Sequence, residues 1–375
     1  MKKLALGSLV ATTLAGTAFA AFSIGDNATV IFNADASVRY DNNIQQQQAG
    51  PGKIKDTIYE LDPGVTITNA KAAPLQARLT YTEAITRYTD NTNLDTNLGM
   101  LNFTSTYTDP KNSANFNAGF EQLNQNTPIS GLPGLLRRDS TTVDGGDIYK
   151  INEKSKFGLD LSYDRTKYAV AGLANSQVYT VPATYYYVLS PKLDATLGLR
   201  YRKTDLSGGN PSYTDYYYNL GLSGEFNPKL NGSITVGVNE HRGASTAFAG
   251  GNATSIGLDS KLTWQESAVN TFNFTLSNDF GAAASGQEQQ TLALSAGVQS
   301  QLSEQLIGFG SVGYNIINYS GPRKDNYFTG SVGVRYNLSR TWSITAAYNY
   351  LDNGSNAAGN SFSDNTLTLK VSLTY

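Results

Sequence analysis

Apolar and polar residues alternate one by one along almost the whole chain, and this rhythm limits the possible folds more than any other feature. A period of two sorts side chains onto the two faces of an extended strand, whereas a helix repeats every 3.6 residues. In "KLDATLGLRYR", Leu193, Ala195, Leu197, Leu199 and Tyr201 share one face, and Asp194, Thr196, Gly198, Arg200 and Arg202 share the other. "GSITVGVNE" separates Ile234, Val236 and Val238 from Ser233, Thr235, Gly237 and Asn239. "WSITAAYNY" places Trp342, Ile344, Ala346, Tyr348 and Tyr350 in one row. Amphipathic helical spacing is hard to find anywhere, so the expected class is all-β.

The connections alternate as well. Tight turns at "SPK" (190–192), "NPK" (227–229), "SEQ" (303–305) and "LSR" (338–340) are interleaved with long polar stretches such as "HRGASTAFAGGN" and "DNGSNAAGNSFSD". Eighteen strands are expected, with sixteen as the runner-up, starting near residues 28, 55, 75, 98, 113, 143, 155, 177, 192, 213, 230, 253, 271, 289, 305, 327, 341 and 365. An even number brings both termini to the short-turn end. The chain ends on "TLKVSLTY", whose row of Leu369, Val371, Leu373 and Tyr375 would be an aggregation-prone edge if left unpaired. The first strand, "ATVIFNADASVRY", offers a matching row of Val30, Phe32, Ala34, Ala36, Val38 and Tyr40. Pairing these two strands closes a ring, which satisfies every backbone group in a lipid environment. The expectation is a closed antiparallel up-and-down transmembrane β-barrel with short periplasmic turns and long extracellular loops. A soluble β-sandwich is the rival, but it has no need to sort its turns into short and long classes.

Composition supports a surface that is wet on one side and apolar on the other. Apolar residues, the 24 Tyr among them, make up 40% and charged residues 15%, and 36 Gly stand in the remainder. A net charge of −2 leaves no basic stripe for nucleic acid. The absence of Cys excludes disulfides, thiolate catalysis and Cys-based metal sites. Residues 1–20, "MKKLALGSLVATTLAGTAFA", read as a secretory signal with Ala18-Phe19-Ala20 at the cleavage site, which leaves 21–375 as a single barrel domain.

The ending resembles the C-terminal signal read by the barrel-assembly machinery of outer membranes. Leu373 and Tyr375 stand at its hydrophobic positions and Thr368 at its polar one, with Lys370 where Gly is usual. "YELDPGVTI" (59–67), followed by repeated "PKL" turns, resembles the β-barrel porin group associated with exopolysaccharide export loci. The resemblance implies an outer-membrane location after passage through the periplasm, with lipid and the assembly machinery as partners, and a passive-pore or export-accessory role. Pro63 within that motif would cost a ladder hydrogen bond, so a bulge or strand end is expected there.

Catalytic chemistry has little to work with. His241 is the sole histidine and has no identifiable nucleophile beside it, so it reads as a rim residue in water. No cofactor or metal is expected. "DNTNLDTNLG" (90–99) spaces oxygen side chains but lacks the Gly and Glu of a calcium loop, and reads as an Asx-rich turn. In "TYYYV" and "DYYYN", alternation directs Tyr185, Tyr187, Tyr216 and Tyr218 outward as girdle residues, leaving Tyr186 and Tyr217 as weak candidates for stacking on sugars.

The inward rows carry the charges that matter. The acids are Asp35, Glu60, Asp62, Glu121, Asp160, Asp164, Asp194, Glu225, Asp259 and Asp279, and the bases are Arg39, Arg78, Arg200, Arg202, Lys261, Arg335 and Lys370. A barrel of this size leaves an aqueous channel unless something plugs it. The functional expectation is a weakly cation-preferring pore for passive diffusion of small hydrophilic solutes and ions. The alternative is a structural, adhesive or export-accessory barrel with a blocked lumen. The connection 125–142, "NQNTPISGLPGLLRRDST", is expected to be the longest and is unusually apolar, with Ile129, Leu132, Leu135 and Leu136. It is expected to fold inward as the constriction, with Arg137 and Arg138 facing Asp139 and the lining acids. Packing of this loop at a homotrimer interface is the competing arrangement.

Overall fold

The computed structural model describes residues 22–24, 28–48, 50, 52–69, 74–125, 130–243 and 251–375. The leader read at 1–20 and Ile129 lie outside the described residues. A short strand, β1 (Phe22–Ile24), precedes eighteen long ones of 13 to 15 residues. These are β2 (Ala28–Asp41), β3 (Asp56–Asn69), β4 (Leu75–Tyr88), β5 (Thr96–Thr108), β6 (Asn112–Asn124) and β7 (Arg137–Lys150). They continue with β8 (Ser155–Tyr168), β9 (Ser176–Ser190), β10 (Leu193–Leu206), β11 (Tyr213–Asn227), β12 (Leu230–Arg242) and β13 (Asn252–Gln265). The last six are β14 (Asn270–Ala282), β15 (Glu288–Gln301), β16 (Leu306–Tyr319), β17 (Lys324–Asn337), β18 (Trp342–Ser355) and β19 (Phe362–Thr374).

Each long strand pairs antiparallel with its sequence neighbours, and β19 returns to β2, so the eighteen form one closed ring. The seam has the expected register: Leu369 lies opposite Val38 and Leu373 opposite Ala34. Tyr375 and Phe32 exchange two backbone hydrogen bonds of 2.6 and 2.7 Å. Beyond Tyr375, β1 takes over the edge of β2, with Phe22 opposite Val30. The seam therefore presents no free ladder there.

The outward rows are apolar and exposed, as a hydrocarbon-facing surface requires. Leu197, Leu220 and Ile256 are each more than 60% exposed. Outward aromatics gather toward both ends, including Tyr107, Tyr149, Tyr187 and Trp342 near the short turns and Tyr40, Tyr59 and Tyr179 near the long loops. Such belts suit the two membrane–water interfaces. The short turns are tied by side chains. At 109–111, Asp109 accepts the backbone N–H groups of Lys111 and Asn112 at 2.7 Å, and these bonds, with the Asn112 amide, hold its carboxyl down to about 2.

Three details differ from the sequence reading. The strand expected near residue 143 begins at Arg137, because Arg137 and Arg138 pair with Asn124 and Leu123. Two arginines and an aspartate read as loop, yet at a barrel rim they sit on a strand whose end is already in water. The loop thus shrinks to 125–136, and the connection 42–55 is the longer. Pro63 neither bulges nor ends its strand. The β2–β3 ladder runs straight through it, while pairing of β3 to β4 lapses between Leu61 and Gly64 and resumes in the same register. The missing N–H costs a local gap only.

Removing the last strand's grip should abolish the barrel rather than adjust it, since each unpaired backbone group in lipid costs several kcal/mol. Deletion of Tyr375, or the double change Leu373→Ser with Tyr375→Ser, is expected to eliminate the heat-modifiable band in outer-membrane fractions. Normal surface levels would contradict the assignment of this strand as seam.

Candidate functional site

Inside the ring, the β14–β15 hairpin leaves the wall. Pairing between β13 and β14 stops at Leu258 opposite Asn278, while β12 remains paired to β13 as far as Asn252. From Asp279 to Ala282, β14 pairs with β15 and is gripped by side chains reaching from the inner faces of β10 and β12. Its loop end therefore bends into the lumen.

A charged cluster holds it there. Arg202 donates to Asp215 Oδ2 from Nε (2.9 Å) and Nη2 (2.7 Å), to Asp279 Oδ2 from Nη1 (2.8 Å), and to the carbonyl of Phe280 (2.7 Å). Arg200 adds a 2.8 Å bond to Asp279 Oδ1. His241 Nδ1 lies 2.7 Å from Asp215 Oδ1, and Nε2 lies 2.9 Å from Glu288 Oε2. Both ring nitrogens can donate only in the protonated imidazole. Two guanidiniums and an imidazolium then face three carboxylates, so the cluster is neutral as a whole. Tyr213 and Phe280 pack on the imidazole with ring centroids 4.9 and 4.8 Å away. The expectation of a rim histidine in water is thus overturned: His241, Asp215 and Arg202 are all 0% exposed. Bending the hairpin inward is what dries them.

The mouth above is knitted to the hairpin tip. Ala284 donates its N–H to the Ser130 carbonyl at 2.8 Å and accepts that of Ala174 at 2.7 Å. Ala283 packs with Ile317 and Tyr319. Gly131, at φ +68°, passes so close to Ala283 and Tyr319 that a Cβ would meet them at 3.0 Å. Farther along the same loop, Leu135 packs against Ile44, Ile58 and Tyr88, whose register places Ile58 and Tyr88 on the inner wall. The described part of this apolar loop therefore finds its cover inside the barrel.

Its arginines behave differently from expectation. Arg138 clamps the base of the loop, donating to the carbonyl of Gln125 at 2.7 Å. Arg137 and Asp139 pair at 3.8 Å and share the outward register of Val143 and Tyr149. Their strand position removes Arg137 and Asp139 from the lumen.

The other charges expected to line the pore fall on inward registers. Asp194 accepts from Lys156 at 2.6 Å, Arg39 pairs with Glu60 at 2.9 Å, and Lys370 pairs with Asp35 at 3.1 Å. Glu225 meets Lys192 at the short-turn end. Asp164 is held by Thr142 and Ser162 at 3.0 Å, and Asp160 lies beneath Gly146, where a Cβ would strike its carboxylate. Asp259, Lys261 and Arg335 share the inward rows of β13 and β17. Tyr217 is buried under Arg200 and its ring occupies the space a side chain at Gly257 would need, so it offers no open stacking face. Near "DNTNLDTNLG", side chains tie the loop to its neighbours: Asn91 Nδ2 donates to Asp56 at 2.7 Å, and Asp95 accepts the Tyr88 N–H at 2.8 Å.

Sequence reasoning missed Asp215, Lys156 and Glu288. Alternation through "DYYYN" would have found Asp215, on the same row as Tyr217. Glu288 carried no such signal, because bending the hairpin brings a nominally outward residue against the inner face of β12. Replacing Arg202 by Met would leave Asp215 buried without its guanidinium partner, a loss of about 3–5 kcal/mol. Urea unfolding of the refolded barrel in detergent should show it, and an unchanged midpoint would contradict the role given to this cluster.

With the ring and its inward hairpin described, comparison with known proteins places the chain. Residues 212–375 match the family described as "Putative beta-barrel porin 2". No curated protein matches the chain in sequence. Acinetobacter baumannii OccAB4 superposes with a TM-score of 0.51 at 9% identity, covering 93% of this chain and 98% of that one. Pseudomonas aeruginosa OccK9 (OpdG) gives 0.51 at 12% identity, covering 93% and 98%. OccK2 (OpdF) of the same organism, solved in complex with glucuronate, gives 0.51 at 11%, covering 92% and 98%. At such identities the likeness is one of fold. The chain has the fold of the outer-membrane porin barrels, and its residues 212–375 carry the sequence pattern of that porin family.

Proposed function

We propose that the barrel is a passive channel for small hydrophilic solutes, weakly cation-preferring and narrowed by the β14–β15 hairpin. The observation that carries this reading is a closed ring of eighteen strands whose inner face carries paired charges on several strands. Interior charge of this kind is natural around water and wasteful in a filled barrel. Catalysis finds no support: both nitrogens of His241 are engaged by carboxylates, leaving neither for a nucleophile.

The charge layout supports the selectivity. Most inward bases are neutralised by neighbours on the wall. On β7 and β8, Asp144 and Asp164 are held by Asn117, Thr142 and Ser162, none of which carries charge. Arg335 stands on β17, nine strands from β8 in either direction around the ring of eighteen. A field therefore runs across the lumen, with its negative side on β7 and β8. The last strand, with Leu369, Val371, Leu373 and Tyr375, is the segment the assembly machinery would read.

Planar-bilayer reconstitution tests the channel, and stepwise conductance increments are expected. Silence from correctly folded protein would favour the adhesive or export-accessory barrel, with the knitted mouth as its plug. Asp144→Asn combined with Asp164→Asn should bring the cation-to-anion permeability ratio toward unity. The effect should be largest at low salt, where screening lengths reach about 30 Å. An anion preference in the unmodified protein would overturn the selectivity.

A further inference from the structure

At the loop end of the seam, the β19–β2 ladder finishes at Thr366 opposite Asp41. Just there, on the inward side, two carboxylates meet. Asp41 is 6% exposed and Asp364 3%, and their carboxyl groups lie against one another within hydrogen-bonding reach. Two ionised carboxylates cannot share such a contact; either a proton or a cation must lie between them.

The surroundings favour the cation. Asp364 Oδ1 is buried and has no hydrogen-bond partner, and the same holds for Asn353 Oδ1 on the neighbouring strand β18. Asn353 is itself 6% exposed. Its Nδ2 is fixed by the Asn360 carbonyl at 2.6 Å, so the orphan oxygen is not a freely turning group. Register sets Asn353 opposite Phe362, two residues along β19 from Asp364, so both inward side chains border the same space. Gln46 reaches the same carboxylate from the 42–55 connection. A proton would satisfy only the contact between the two carboxylates and would leave both orphan oxygens as they are. A calcium-type ion uses all of them, because it takes six to eight oxygen ligands in flexible geometry.

We infer that Asp41 and Asp364, with the amide oxygen of Asn353, form a divalent-cation site of the calcium type that clips the barrel seam at its loop end. Two carboxylates balance the ion's charge, and the Gln46 amide can turn to offer its oxygen. No trio of His, Cys, Asp or Glu gathers here or elsewhere among the described residues, so amide oxygens and water must complete the shell. So few anionic ligands place the site in the weak class, with half-saturation on the order of 10⁻⁴–10⁻³ M. Lys53 and Arg39 lie near enough to Asp41 to favour its ionised form, and their positive charge opposes a bound dication, which further keeps the affinity low.

The test uses the full barrel refolded in detergent near neutral pH and stripped with EDTA. Calcium chloride should raise its unfolding temperature with half-saturation in the stated range. Terbium should give tyrosine-sensitised emission, since the Tyr327 ring packs 6.0 Å from Phe362 beside the site. Asp364→Asn should fold, because an amide can donate to Asp41 as a protonated carboxyl would, but it should lose both responses. Asn353→Ala keeps the carboxylate pair and should weaken calcium about tenfold; it serves if Asp364→Asn fails to fold. An unmodified barrel that ignores calcium, or variants that respond as it does, would show that the pair holds a proton instead and would overturn the inference.

Discussion

The constraint on which everything else depends is that lipid offers no hydrogen bonds to a peptide backbone. Strands can cross it only if each ladder is taken up by a neighbour, and the first and last strands have no neighbour except each other. Tyr375 and Phe32 exchange their backbone bonds at that junction, and β1 covers what remains of the edge. Once the ring must close, alternation follows: one row of side chains meets hydrocarbon, and the other meets whatever fills the middle. Even Pro63 is tolerated on these terms, since a single lapse in the β3–β4 ladder leaves the register intact.

The inward cluster shows the opposite economy. Arg202, Asp215 and His241 are fully removed from water, at a desolvation cost that only multiple directed hydrogen bonds offset. Arg202 alone contacts Asp215, Asp279 and the Phe280 carbonyl, so the cluster works as a joint between wall and hairpin. Such a joint fixes geometry more than it adds stability. It holds in place a segment that has given up its pairing to β13.

How much of this was legible in the sequence follows from what each signal measures. Alternation reports which face a residue takes on a regular strand, so the wall could be read almost residue by residue, from Leu193 through Arg202 and at the seam. It failed at Arg137–Asp139, where charged side chains at a strand end resemble a loop because both are wetted. It also failed at His241 and Glu288. Their partnership arises between segments 47 residues apart once a hairpin bends, and no local period encodes a bend of that kind. The apolar character of the loop at Leu132, Leu135 and Leu136 did point inward, but not to the hairpin against which that loop leans.

The stitching of the mouth has a mechanical consequence. Ser130, Ala174 and Asn210 belong to three different connections and Tyr319 ends β16, and all of them touch the tip of one hairpin. Traction on the exterior loops is therefore carried along backbone hydrogen bonds to Ala284 and on to Arg202, deep inside the ring. The outer face of this barrel is thus not a set of independent tethers. Whatever grips it from outside also pulls on the hairpin that bends into the ring.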